Sequence, residues 1–182
     1  MSKHWSDMKK EQSYLSHLIT LSPDAVLEFG HIKTEHCLEI THYSTLVKVK
    51  TCKTCCIQQL NGQKGLFAKK NLPKNKIIAI WTGCYVSEKE YLHMDTPYMK
   101  YVIKFQSDSN KLWYIVPTMH GLCEFCNDGV HNMSNIISNK LVNSEFIQFK
   151  YKQFPVVGIH TLTDIQKGAQ LFTDYGTKYW KN

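Results

Sequence analysis

The sequence predicts a β-rich α+β protein, and three observations carry the prediction. From Leu66 onward the apolar residues come in short runs broken by Gly, Pro and Asn, at strand length rather than helix length. Helical spacing is confined to residues 1–29 and to one stretch at 87–93. The 182 residues are 43% apolar and 12% aromatic, enough for one packed domain and too apolar for a disordered chain.

Residues 1–20 place Trp5, Met8, Tyr14, Leu15, Leu18 and Ile19 at loosely helical spacing, as on one helix face. Ser22-Pro23-Asp24 breaks that pattern, and a second short helix or turn follows at 25–29, stopped by Gly30. Residues 37–49 read as β, with Leu38, Ile40, Leu46, Val47 and Val49 as apolar positions. Residues 1–53 are therefore a partly helical flanking region, and residues 54–182 the main domain. There Ile57-Gln58-Gln59-Leu60 is a strand, residues 61–65 a tight turn, and Leu66-Phe67-Ala68 a second strand. Leu72-Pro73-Lys74-Asn75 turns the chain into a third strand at 76–81, which stops at Thr82-Gly83. Residues 98–105 alternate like a strand, Ser107-Asp108-Ser109-Asn110 is a hairpin turn, and residues 112–116 return. Further strands fall at 146–149 and 155–159. The chain then makes a polar turn at Gln166-Lys167-Gly168, a short apolar strand, and Asp174-Tyr175-Gly176. That last element is stiff and delivers one phenol to a fixed place, with a backbone break directly after it.

The net charge is +7, and all 22 basic residues are lysine. They are scattered along the sequence, which reads first as a solubilising surface and second as attraction to an acidic partner such as chromatin. Without Arg the usual bidentate reader of guanine and phosphate is missing, and no aromatic-basic platform is visible, so direct nucleic-acid binding is not expected. No apolar run approaches the ~18–20 residues of a membrane span, so no membrane partner is expected. The N-terminus lacks an apolar signal core, which points to an intracellular protein. Seven cysteines then read as thiols or metal ligands rather than a disulfide framework. Cys52-x-x-Cys55 and Cys123-x-x-Cys126 have zinc-ligand spacing, with His36, Cys37, His42 and Cys56 nearby. Neither pair sits in a Gly- or Pro-turned knuckle, and no metal is assigned.

Four stretches in order share one pattern. Gly65-Leu66-Phe67-Ala68 is followed by Leu72, Lys74, Ile77, Ile78 and Gly83. Phe125-Cys126-Asn127-Asp128 follows, with Asn135 beyond it. Thr161-Leu162-Thr163-Asp164-Ile165 leads to Gly168, and Leu171 leads to Asp174-Tyr175-Gly176, with Tyr179-Trp180 after it. The set resembles the SET-domain protein lysine methyltransferases over residues 54–180. It departs from them at Gln63 (for glycine), Trp81 (for tyrosine), Asp128 (for histidine) and Ala169-Gln170 (for two glutamates). The resemblance implies a β-clip-like fold of several short curved sheets with a C-terminal pseudoknot. It implies S-adenosylmethionine as cofactor, held by Gln63, Lys64, Gly65, Leu66, Asn127, Asp128, Tyr175, Tyr179 and Trp180. A side chain at Gln63 fits that turn only with negative φ. It further implies a substrate-lysine channel lined by Trp81, Thr173 and Tyr101, with Tyr98 and Tyr114 as further candidates. The middle hairpin would take a substrate peptide as an added strand.

The chemistry suits such residues. Methyl transfer to an amine needs the amine neutral, and deprotonating a lysine at neutral pH costs about 4–5 kcal/mol. An aromatic channel desolvates the ammonium and lowers that cost. What remains is alignment, with oxygen acceptors around the electropositive methyl. Tyr175 is the candidate catalytic residue for that task. Thr173, small where the family varies Phe or Tyr, implies room for a di- or trimethylated product. A histone tail, and so a nucleus (the cell's own or a host's), is the first expectation for substrate and compartment. The other readings are a non-histone substrate, a degenerate SET domain that binds without catalysis, and a basic nucleic-acid module.

Overall fold

The computed structural model describes residues 19–30, 45–53, 60–94, 101–117, 122–132, 135–136, 141–151 and 154–176. The N-terminal helix face up to Leu18, the β reading at 37–44, the strand at 57–59, Tyr98, Tyr179 and Trp180 lie outside them. In chain order the elements are β1 (Ile19–Leu21), α1 (Pro23–Phe29), β2 (Val47–Thr51), β3 (Lys64–Ala68), β4 (Ile77–Ile80), β5 (Gly83–Ser87) and α2 (Glu88–Leu92). There follow β6 (Ile103–Gln106), β7 (Leu112–Pro117), a 3-10 turn at Cys123–Phe125, β8 (Asn127–Asp128), β9 (His131–Asn132) and β10 (Asn135–Ile136). The last are β11 (Ser144–Tyr151), β12 (Phe154–Thr161) and β13 (Phe172–Thr173). They divide into two compact units.

The first unit takes residues 1–42, 81–121 and 148–157. Its sheet has the order β1-β5-β7-β6, with β1 parallel to β5 and the rest antiparallel. Ile19 and Thr20 are therefore strand, not helix. Ser22 explains why: it precedes Pro23, holds extended backbone, and its side chain caps α1 by accepting the Ala25 N–H at 3.2 Å. Helix α2 closes a capping box, in which Ser87 accepts the Glu90 N–H and Glu90 accepts the Ser87 N–H. The two caps interlock, since Ser22 Oγ donates to Glu90 at 2.6 Å and Ser87 Oγ donates to Asp24 at 2.7 Å. Beneath them Phe29, Tyr85, Phe105, Trp113 and Phe154 form an aromatic core, with Phe29 and Trp113 ring centres 4.7 Å apart. The β6–β7 turn is the expected one, with Asn110 at φ 60°. Gly83, expected to end a strand, instead opens β5; a Cβ there would lie 2.2 Å from the Val116 carbonyl oxygen.

The second unit takes residues 43–80, 122–147 and 158–182. β2 and β3 form an antiparallel ribbon in register from Val47↔Ala68 to Thr51↔Lys64. Leu60 belongs not to a strand but to the ribbon's turn: Gln63 N–H reaches the Leu60 carbonyl at 3.0 Å with Gly62 at φ 84°, the third position of a type II turn. β4 pairs antiparallel with residues 158–160 of β12, and β8 pairs with β13 in parallel. Leu46, Leu66, Leu72, Ile78, Ile159 and Leu171 are fully buried here. The loop at 161–170 is tied to residues 66–75 at several points. Ile165 bridges Leu72, Asp164 accepts the Lys74 N–H at 2.7 Å, and Thr161 Oγ1 donates to the Pro73 carbonyl at 2.7 Å.

Candidate active site

Tyr175 is held from three directions within the second unit. Its hydroxyl donates to the Cys126 carbonyl at 2.7 Å, its backbone N–H reaches Asp128 Oδ2 at 3.3 Å, and the Phe146 ring stacks 6.2 Å from its own. The chain turns away immediately after it, with Gly176 at φ 77° and its N–H on Asp174 Oδ1 at 2.7 Å. The β8–β13 pairing sets the registration, with Phe172 opposite Asn127 and Thr173 opposite Asp128. Thr173 is buried, and its carbonyl accepts the Gly129 N–H at 2.7 Å.

Asp128 stands where the resembled family has a histidine, and has its own task. Its carboxylate is buried and accepts two backbone N–H groups, from Val130 through Oδ1 at 2.7 Å and from Tyr175 through Oδ2. The residue ties the central loop to the segment that presents the phenol. Sequence reasoning missed this, although an acidic residue one position before Gly129 is an ordinary signal for such a turn.

Asn127 does not turn back on its own loop. Its Nδ2 donates to the Lys64 carbonyl at 3.1 Å, so the amide reaches β3. A Cβ at Gly65 would lie 2.6 Å from Gln170 Nε2, 2.9 Å from Cys52 Sγ and 3.2 Å from Asn127 Nδ2. Gly65 is therefore required by close approach. Gln63 has no positive φ, as that turn demands, because Gly62 takes the left-handed position. Lys64 is exposed, with its ammonium 5.7 Å from the centre of the Phe125 ring. Leu66 is buried, and its carbonyl accepts the Leu171 N–H at 2.8 Å. The structure thus gathers Gln63, Lys64, Gly65, Leu66, Asn127, Asp128, Thr173 and Tyr175 in one unit. Trp81 and Tyr101 belong to the other. There Trp81 is buried with its N–H on the Val157 carbonyl at 2.7 Å, and Tyr101 is 37% exposed ahead of β6. Tyr114 stacks on Tyr91 at 4.1 Å and reaches Glu88.

The 3-10 turn and the Cys126 that follows it carry three perturbed groups. Burial pushes the Cys126 thiol up to about 12 and holds that of Cys123 well above its ordinary range. Both are neutral thiols, and no group of three metal-ligating side chains occurs among the described residues. Burial also raises the Glu124 carboxyl to about 7, and no donor among the described residues reaches its buried Oε2.

The described residues are strand-rich, in several small sheets, with a phenol held by the loop that pairs with its own segment. The family model of the SET domain matches residues 63–176, well over half of the chain, and the chain belongs to that family. The family's members are in general protein lysine methyltransferases. No curated protein matches the chain in sequence. Among solved structures, the fold is similar to one described as the crystal structure of the ATXR5 SET domain in complex with di-methylated histone H3. The TM-score is 0.56 at 17% identity, over 88% of this chain and 70% of that one. At that identity the likeness is one of fold.

Proposed function

We propose that the protein is an S-adenosylmethionine-dependent protein lysine N-methyltransferase with Tyr175 as its catalytic residue. The observation that carries this reading is the direction of the Tyr175 hydroxyl. Its proton is committed to the Cys126 carbonyl, so toward any other group the oxygen can act only as an acceptor. An oxygen acceptor at a fixed point is what a transferring methyl needs. The donor set beside it suits the cofactor: the exposed Lys64 ammonium answers a carboxylate, and the Asn127 amide, anchored through its Nδ2, leaves its oxygen for an amine. When bound, S-adenosylmethionine supplies the electrophilic methyl group. Asp128 acts through Tyr175, fixing its backbone rather than touching a reactant. Thr173, buried in the segment that presents Tyr175, leaves room for more than one methyl. A histone tail is the proposed substrate, and a nucleus the proposed compartment.

A second reading is favoured by one observation. Gln170, Cys52 and Asn127 crowd the face of Gly65, where the cofactor turn is expected. Such crowding favours a SET domain that binds a peptide or the cofactor without transferring methyl groups. Transfer of radiolabel from S-adenosylmethionine separates the two, using wild type and Tyr175→Phe against core histones and a cell lysate. Label with the wild type and not the variant is expected. Cofactor binding by calorimetry without any label would establish the non-catalytic reading instead. A product confined to monomethyl-lysine would overturn the role given to Thr173.

A further inference from the structure

Lysines that look scattered in the sequence meet on the second unit. β2 carries Lys48 and Lys50 two residues apart, so both project from one face of the ribbon, about 7 Å apart along the strand. Register places Phe67 opposite Lys48, and the Lys50 ammonium lies 5.8 Å from the Phe67 ring centre. Lys69 follows β3 directly, its N–H bonded to the Leu46 carbonyl at 2.9 Å. Lys167 is brought to the same end by its N–H on Asn71 Oδ1 at 2.8 Å and by the Gly168 N–H on the Ala68 carbonyl at 2.9 Å. The charges are close enough to feel one another: Lys50 first, then burial, then Lys167 and Lys69 hold the Lys48 ammonium below its ordinary range. Four cations drawn together from distant parts of the chain repel one another, and the fold maintains the arrangement.

We infer that this face of the β2–β3 ribbon, with Lys48, Lys50, Lys69 and Lys167, docks on the phosphate backbone of duplex nucleic acid. Charge complementarity selects the partner. Lysine is a point charge that neutralises phosphate without reading base edges, so the contact is independent of sequence. A membrane surface fits less well, because interfacial binding needs inserted apolar side chains. The exposed large apolar residues among those described, Leu27, Leu92 and Tyr101, all belong to the other unit. The inference is independent of methyl transfer.

The test uses the full chain and a fluorescent duplex of about twenty base pairs, with anisotropy read between about 50 and 200 mM salt. Micromolar binding that weakens steeply with salt is expected. Lys48→Glu/Lys50→Glu should weaken it at least tenfold and lower the log–log salt slope by about 2, near 0.9 for each phosphate that is no longer neutralised. Lys89→Glu/Lys104→Glu makes the same charge change on the other unit and should bind as wild type does. Lys167→Glu, in an exposed turn, gives an independent readout should the double variant fail to fold. Tyr175→Phe should bind unchanged, which separates this result from the fate of the methyltransferase reading. Equal loss in both double variants, no salt-dependent binding, or tighter binding to anionic vesicles or polyglutamate than to the duplex would overturn the inference.

Discussion

Glu124 couples protonation to folding. Its Oε2 is buried with no donor among the described residues, and burial raises the carboxyl from 4.5 to about 7 against a smaller opposing effect of its own backbone N–H. Between those values the folded chain holds a proton that the unfolded chain has released. Stability from this group is therefore complete below the unfolded value and is lost as pH rises through the folded one. At 1.36 kcal/mol for each pH unit the loss approaches about 3 kcal/mol, and about 2 kcal/mol once the side chain's partial exposure is discounted. Glu124→Gln keeps the shape and removes the charge. Urea unfolding at pH 5 and pH 8 checks it. The variant should match wild type at pH 5 and exceed it by about 2 kcal/mol at pH 8. All other titrating groups are common to both proteins, so the difference isolates Glu124. Equal pH dependence in the two proteins, or a wild type more stable than the variant at pH 8, would refute the argument.

Two glycines should differ in a way that packing alone decides. Gly83→Ala drives a Cβ to 2.2 Å from the Val116 carbonyl, sheet backbone that cannot step aside, and should cost about 3 kcal/mol or more. Gly65→Ala meets the ends of the Gln170 and Cys52 side chains, which can turn, and should cost about 1–2 kcal/mol. Thermal melting gives the order, and a reversed order would sink the reasoning. Asp128→Ala strands the buried Val130 N–H and should destabilise by about 2 kcal/mol, whereas Asp128→Asn retains one acceptor and should lose about half as much. Denaturant midpoints distinguish the pair, and equal losses would mean that the carboxylate bonds contribute little.

Strands with an alternating face and a sharp turn were legible in the sequence. β3, β4 and β7 fall where alternation and Gly or Asn turns put them, and Ser87 and Glu90 announce α2. β1 was not legible, because its strand character comes from pairing with β5, far along the chain, and local spacing cannot report a distant partner. β8 and β13 are two residues each, too short to show any period. At the candidate site, motif order singles out Tyr175 and Asn127 as candidates. That Asn127 spends its Nδ2 on the Lys64 carbonyl, and that Asp128 grips the Tyr175 backbone, depends on loops meeting in space. The gathering of Lys48, Lys69 and Lys167 was hidden for the same reason.

The bond from the Tyr175 hydroxyl to the Cys126 carbonyl closes a loop of 49 residues. Parallel pairing of β8 with β13 closes nearly the same loop and gains only two residue pairs on closing. Loop-closure entropy must be overcome before either contact contributes, so this corner forms after the locally closed β6–β7 hairpin and β2–β3 ribbon. The phenol is thus placed later than those two hairpins. A folding intermediate would already hold the β6–β7 hairpin and the β2–β3 ribbon while having no ordered Tyr175. On the methyltransferase reading, recovery of activity during refolding should lag behind formation of the two hairpins.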